Sequence, residues 1–248
     1  MRKIGLIGGS GLSDDKFFDD SSLVSLGFTQ YKYGEPSSSV IKKVSGNKEI
    51  YYIRRHGDGH TISPTNVNYK ANIHTFKELG VDCIIAISAV GSLRMEIQPG
   101  HIVFPSQFID MTKKRETSFY EGTDNLYHEN MAEPFDYQLR DELINCAKSL
   151  DIPYHSEKTV ITIEGLRFSS KAESHLWRQW GADIINMTTV PEVCLAKEAG
   201  IPYQTIALST DYDCWNESHE SVTFEMVMEQ VKKNVDSVKK LLGEFING

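Results

Sequence analysis

The sequence has no hydrophobic run approaching the roughly 18 residues that a bilayer-crossing helix requires. It also has no Ser/Gly/Pro tract, low-complexity block or internal repeat that would mark a linker or a repeat array. Cysteine is scarce: four in 248 residues, Cys83, Cys146, Cys194 and Cys214, none in C-x-x-C spacing. That excludes a disulfide framework and a cysteine-based zinc site and leaves mostly buried, reduced thiols. Positive charge is in deficit, with 26 Lys+Arg against 34 Asp+Glu and a formal net charge of −8. A nucleic-acid partner, which needs clustered basic residues, is therefore excluded as an expectation. The start, Met1-Arg2-Lys3 and then Ile4-Gly5-Leu6-Ile7-Gly8-Gly9, is too short and glycine-rich to read as a signal peptide. A soluble, cytoplasmic protein is expected, with one domain spanning residues 1–248.

What is present alternates between strand and helix patterns. Lys3–Ile7 is a short apolar strand, and Val40–Val44 with Glu49–Arg54 reads as a hairpin around Ser45-Gly46-Asn47-Lys48. A helix is expected after Pro64, carrying Val67, Ala71, Phe76 and Leu79 and stopped by Gly80. Cys83–Ile87 is a continuous apolar run, as in strands buried on both faces. His101–Phe104, Thr159–Ile163, Asp183–Met187 and Tyr203–Leu208 read as further strands. Helices are expected from Pro134, from Ser170 with Glu173 at capping-box spacing, and from Thr189 with Glu192 and Pro191 in the first turn. A last helix carries the stripe Phe224, Val227, Val231, Val235, Val238 and Leu242. The alternation predicts an α/β fold: a mixed, mostly parallel central β-sheet flanked by helices.

Polar and glycine-rich segments follow the strands, where ligands bind in open α/β sheets. Gly8-Gly9-Ser10-Gly11 reads equally as an anion-cradling turn or a tight strand-to-helix turn; Asp14 breaks the dinucleotide fingerprint. In Arg54-Arg55-His56-Gly57-Asp58-Gly59-His60, alternation would put His56, Asp58 and His60 on one face for a metal. Anion binding is favoured over metal there, because Arg55 opposes a divalent cation and its planar fork suits an oxyanion. Ser88-Ala89-Val90-Gly91-Ser92 reads as a turn whose hydroxyls and N–H groups could face the same anion. Ser209-Thr210-Asp211-Tyr212-Asp213-Cys214-Trp215 reads as a solvated loop, a metal pair or a base-recognition site.

The order GGSGL, RRHGDGH, NYKAN, ISAVGSL, QPGHIVFPSQFID, MAEPF, TIEGLRFSS, WGADIINMTTVPEVCLAKEAGIPY and STDYDCW closely resembles the S-methyl-5′-thioadenosine phosphorylases. These form part of the trimeric branch of the purine nucleoside phosphorylase family, and the resemblance runs from Ile4 through the last helix. It implies a phosphate pocket of Ser10, Arg55, His56, Ser88, Ala89 and Thr188. It implies Met187 under the ribose, Phe168 facing the purine, and Asp211 and Asp213 on the base as catalytic residues. It implies His60 and His128 at the 5′ end, and Phe224 and Val227 near the methylthio group. Leu166 stands where the family usually has proline, and Ser10 and Ser88 replace commoner threonines.

The reaction so implied is phosphorolysis of 5′-methylthioadenosine to adenine and 5-methylthioribose 1-phosphate by a homotrimer or homohexamer. Phosphate is a co-substrate, and neither cofactor nor metal is needed. Asp211 would protonate or hydrogen-bond N7 as negative charge develops on the purine. Asp213 would accept from the 6-amino group, a contact that a 6-oxopurine cannot supply. Three other expectations stand beside it. One is a broader purine nucleoside or methylthioinosine phosphorylase, one a metal-dependent hydrolase using His56, Asp58 and His60, and one a nucleoside sensor without catalysis.

Overall fold

The computed structural model describes residues 1–9, 32–217 and 222–248, together with the backbone of 24–26. Its order is β1 (Arg2–Gly8), β2 (Val24–Leu26), β3 (Val40–Ser45), β4 (Lys48–Arg54), α1 (Tyr69–Leu79), β5 (Cys83–Ser92) and β6 (Ile102–Met111). Then follow α2 (Tyr137–Ser149), β7 (Tyr154–Ile163), α3 (Lys171–Gln179), β8 (Ile184–Asn186), α4 (Thr189–Glu198), β9 (Tyr203–Asp211) and α5 (Phe224–Asn247).

The strands form one mixed sheet in the order β2-β3-β4-β1-β5-β8-β7-β6-β9, and β9 pairs with β5 as well. The long ladders β1–β4, β5–β9 and β6–β7 are parallel; β3–β4 is the expected antiparallel hairpin. Because side chains alternate across a strand, β1 and β5 feed two cores. Ile4, Leu6, Cys83, Ile85 and Ile87 face α2 and α5 through Leu139, Leu143, Val231, Val238 and Leu242. Ile7, Ile84 and Ala86 face α1 and α4 through Ile73, Phe76, Val193 and Leu195. That double burial explains the unbroken apolar run in β5.

Several boundaries differ from those the sequence suggests. Pro64 opens only a 3-10 turn, Pro64–Asn66, and Val67 is extended. The α-helix starts after Asn68, whose side chain accepts from the Ala71 N–H, and Gly80, at φ 64°, closes it as expected. Likewise Asp136, not Pro134, caps α2 by accepting from Leu139 N–H at 2.7 Å. The Ser170–Glu173 capping box of α3 is present. Thr189 does not cap α4; Thr188 occupies the cap position without a side-chain cap bond, and Val190 is non-helical. Ser88–Ser92 and Ser209–Asp211 are strand, not turn or loop, because each pairs with the other: Val90 opposes Ser209 and Gly91 opposes Asp211. Thr210 is the extra residue of the bulge between those pairs, and it turns Asp211 toward the site.

Candidate active site

The ends of β4, β5, β8 and β9 surround a cleft of about 190 Å³. Its walls include Arg55, His56, His60, Ser88, Ala89, Phe168, Met187, Thr188, Asp211, Asp213, Phe224 and Val227. Twelve of the fourteen residues singled out in the sequence thus meet in one cavity, although they come from segments far apart in the chain. Ser10 lies outside the described residues. His128 is exposed, in a 112–136 segment without regular structure, and does not line the cleft of its own chain.

At one end of the cleft Arg55 is almost wholly buried. Its Nε and Nη2 donate to the two carboxylate oxygens of Glu192, each at 2.8 Å, and Nη1 donates to the Ile87 carbonyl at 2.8 Å. Burial alone would lower the Arg55 guanidinium, but Glu192 outweighs it and holds the group above its usual range. Tyr203 also donates to Glu192 at 2.7 Å, so the carboxylate is bound from two sides. Gly9 finds its reason here. A Cβ at that position would lie 2.5 Å from the Ile87 carbonyl oxygen and 2.7 Å from Arg55 Nη1. The glycine at this position admits the arginine as well as leaving backbone open to a ligand.

Beside Arg55, the His56 Nδ1–H donates to the Ile62 carbonyl at 2.8 Å. His56 packs on His60 with ring centroids 4.4 Å apart. Burial first, then the nearby Arg55 charge, lowers both imidazoles, His56 to about 3. The metal arrangement is not formed: Asp58 is 77% exposed and pairs with Arg54 at 2.9 Å. No group of three His, Cys, Asp or Glu among the described residues is arranged to hold a metal ion.

A hydroxyl cluster completes this end. Asn186 Nδ2 donates to Ser88 Oγ at 3.1 Å and to Thr189 Oγ1 at 2.7 Å, while its Oδ1 accepts from Thr162 Oγ1 at 3.0 Å. Ser88 Oγ and Thr188 Oγ1 are 3.3 Å apart. The Ser88 hydroxyl, its acceptor side filled by Asn186, donates at a long 3.3 Å to the Ala89 carbonyl, a bond that an anion in the cleft can replace.

The other end holds the carboxylates. Asp211 accepts from Thr210 Oγ1 at 2.7 Å and from Asp213 N–H at 2.8 Å. Burial chiefly, helped by the charge of Asp213, raises its carboxyl to about 6 despite those two bonds. Asp213 sits at φ 49°, and burial raises it too, with the Ser174 and Ser169 hydroxyls opposing. Its Oδ2 is buried near the Ser169 and Ser174 hydroxyls but makes no hydrogen bond of good geometry to either. Trp215 fixes the turn behind it: its indole donates to the Ser92 carbonyl at 2.9 Å, and Arg178 lies 3.5 Å over its ring.

The rim is apolar. Phe224 and Leu166 are exposed, and Phe224 lies 6.3 Å from the His60 ring. Glu192, Asn186 and Arg115 were not legible as site residues. Arg115 is buried behind the cleft and donates to the carbonyls of Met187 and Val190, each at 2.7 Å, and to Glu164. Burial opposes ionisation of Glu164, but Thr65, the Lys113 and Lys114 N–H groups and Arg115 bring it down to about 2. The one signal for Glu192 in the sequence, its spacing from Thr189, points to a helix cap and not to Arg55.

This cleft, with an anion-competent end and a carboxylate end joined by an apolar floor, sits in a chain that belongs to the phosphorylase superfamily, whose family model matches residues 3–247. More narrowly, the chain is similar to proteins named S-methyl-5′-thioadenosine phosphorylase. It is 49% identical to that of Xenopus tropicalis over 245 residues, 97% of this chain and 86% of the relative, and 47% identical to that of Danio rerio with the same coverage. Among solved structures it resembles the Schistosoma mansoni methylthioadenosine phosphorylase in complex with adenine. The TM-score is 0.93 at 37% identity, covering 99% of this chain and 91% of that one. A mutant of the adenosine/methylthioadenosine phosphorylase from the same organism, in complex with methylthioadenosine, gives 0.90 at 36% identity, with the same coverage.

Proposed function

We propose that this protein catalyses phosphate-dependent cleavage of 5′-methylthioadenosine to adenine and 5-methylthioribose 1-phosphate. The observation that carries the reading is one cleft in which an anion-competent end and a raised, buried carboxylate pair stand on opposite sides of an apolar floor. Arg55, His56, Ser88, Ala89 and Thr188, with Ser10, hold phosphate; Phe168 and Met187 take the purine and ribose faces. Breaking the C1′–N9 bond develops positive charge on the ribose and negative charge on the purine. Asp211, protonated, donates to N7, and Asp213 accepts from the 6-amino group. Phosphate is a co-substrate, and no cofactor takes part in the reaction. His60, Phe224 and Val227 surround the methylthio group.

The working unit is a homotrimer or a hexamer built from it, acting in the cytoplasm. The exposed apolar rim at Leu166 and Phe224 and the placement of His128 on the surface support an assembly in which a neighbouring subunit closes the 5′ end. No helix among the described residues is long and apolar enough to cross a membrane.

The test is a substrate panel of methylthioadenosine, adenosine, inosine and methylthioinosine, with and without phosphate and with EDTA. The expected result is phosphate-dependent release of adenine that survives EDTA, fastest for methylthioadenosine. Turnover without phosphate, or preference for a 6-oxopurine, overturns the reading.

A further inference from the structure

Charge at the phosphate end of the cleft is compensated within the protein. The one arginine there is neutralised: Arg55 is tied by two bonds to the fully buried Glu192. An anion here meets hydrogen-bond donors and no surplus cation from that pair. The donors come from the hydroxyls of Ser88 and Thr188 and from the guanidinium N–H groups that Glu192 and Ile87 leave unused.

His56 differs from all of these. A carbonyl only accepts, so the 2.8 Å contact with Ile62 fixes the proton of His56 on Nδ1. The loop enforces this from both sides, because the Ile62 N–H donates back to the His56 carbonyl at 2.9 Å. With Nδ1–H so placed, Nε2 of the neutral ring carries a lone pair. Burial, Arg55, His60 and Arg115 all disfavour a second proton, and only the Ile62 carbonyl favours it. The ring therefore brings an acceptor to an anion site.

We propose that His56 is a specificity-determining residue that accepts a hydrogen bond from the P–OH of hydrogen phosphate, so that the site selects protonated tetrahedral anions over sulfate. Near neutral pH phosphate and arsenate each keep at least one proton, whereas sulfate keeps none. Phosphate can satisfy every donor and still give its own proton to Nε2. Sulfate sets an oxygen lone pair against a nitrogen lone pair and leaves a buried acceptor unmade. Size and shape do not separate the two anions; hydrogen-bond polarity does. This inference rests on the reading above that the Arg55–His56–Thr188 corner is the phosphate site.

Calorimetry on the wild-type protein with inorganic phosphate, arsenate and sulfate tests it without turnover. Phosphate and arsenate are expected to bind about 10- to 100-fold more tightly than sulfate, the range set by one unsatisfied buried acceptor. In His56→Asn the amide can rotate to donate or accept, so the preference should collapse to within about threefold. Sulfate binding as tightly as phosphate to the wild type overturns the proposal, and so does failure of all three anions to bind. A folded His56→Asn protein that keeps the full preference also overturns it. The functional reading fails separately: anion selectivity as expected, but no adenine released from methylthioadenosine and phosphate, removes the reaction and leaves His56's role standing.

Discussion

Arg55 and Glu192, 137 residues apart in sequence, form a two-pronged ion pair with both contacts at 2.8 Å and neither side chain meaningfully exposed. Such a pair costs desolvation on both sides, and removing one partner leaves the other charged and buried. Glu192→Ala should therefore destabilise the protein by about 3–5 kcal/mol, the range for breaking a buried pair. Tyr203 loses its acceptor in the same variant, which adds to the loss. Urea unfolding of wild type and variant at one pH checks this; a shift under about 1 kcal/mol would mean that water or a rotamer change rescues Arg55.

Asp211 gives a pH signature with a definite sign. Its carboxyl sits at about 6 in the folded protein, above the ordinary aspartate value, chiefly through burial. A donor to the purine must be protonated, so kcat/KM for methylthioadenosine should fall as pH rises through about 6. Asp211→Asn should lower kcat by about 10²–10⁴ and abolish that limb. Stability moves the same way in the wild type. The folded state binds this proton more readily than the unfolded chain, so the contribution of Asp211 declines as pH rises from the ordinary aspartate value through about 6. At pH 8 Asp211→Asn should be at least as stable as wild type, measured by thermal unfolding, because a buried charge has been removed.

Much of this molecule is legible where one local rule decides. The Cys83–Ile87 run, the β3–β4 hairpin, the Ser170–Glu173 box and the α5 stripe all appear where periodicity and caps put them. The misplacements share a cause. Ser88–Ser92 and Ser209–Asp211 look like loops because they are polar, yet their backbones are satisfied by pairing with one another, a contact over more than a hundred residues. Pro64 and Pro134 announce helices that Asn68 and Asp136 begin, since a side-chain acceptor for the first free N–H groups outweighs a preset φ. Within the site, chemistry-bearing residue types were visible, but Glu192 was not. Nothing local distinguishes a carboxylate that caps a helix from one that neutralises a distant arginine.

In the proposed reaction it is Asp213 that discriminates between purines. Its buried Oδ2 makes no hydrogen bond of good geometry within the protein, and as a carboxylate it can only accept. Asp213→Asn supplies an amide donor of nearly the same shape. The ratio of kcat/KM for methylthioadenosine over methylthioinosine should fall by about 10-fold or more, one or two hydrogen bonds' worth of discrimination. Steady-state assays of both nucleosides on both proteins measure it, and an unchanged ratio would assign base selection elsewhere in the cleft.

Gly91 separates the two ends of the site. A Cβ there would lie 3.0 Å from Asp211 Oδ1 and 3.0 Å from Ile185 Cγ2, tighter than ordinary contact. Neither neighbour can retreat freely: Asp211 is held by Thr210 and the Asp213 N–H, and Ile185 is buried in the sheet opposite Gly91. Gly91→Ala should therefore move the carboxylate by a few tenths of an ångström at a cost of about 1–3 kcal/mol, typical of overpacking. The nucleoside end should suffer, with kcat/KM for methylthioadenosine down about 10-fold or more, since small misplacements of a reacting group are costly. The phosphate end should not. Arg55 is anchored by Glu192 and Ile87, and Ser88 by Asn186, so the KM for phosphate should stay within about twofold. Measuring both constants in the one variant decides the matter. A rise in the phosphate KM as large as the loss in kcat/KM would mean that β5 shifts as a body and that the two ends of the cleft are not independently held.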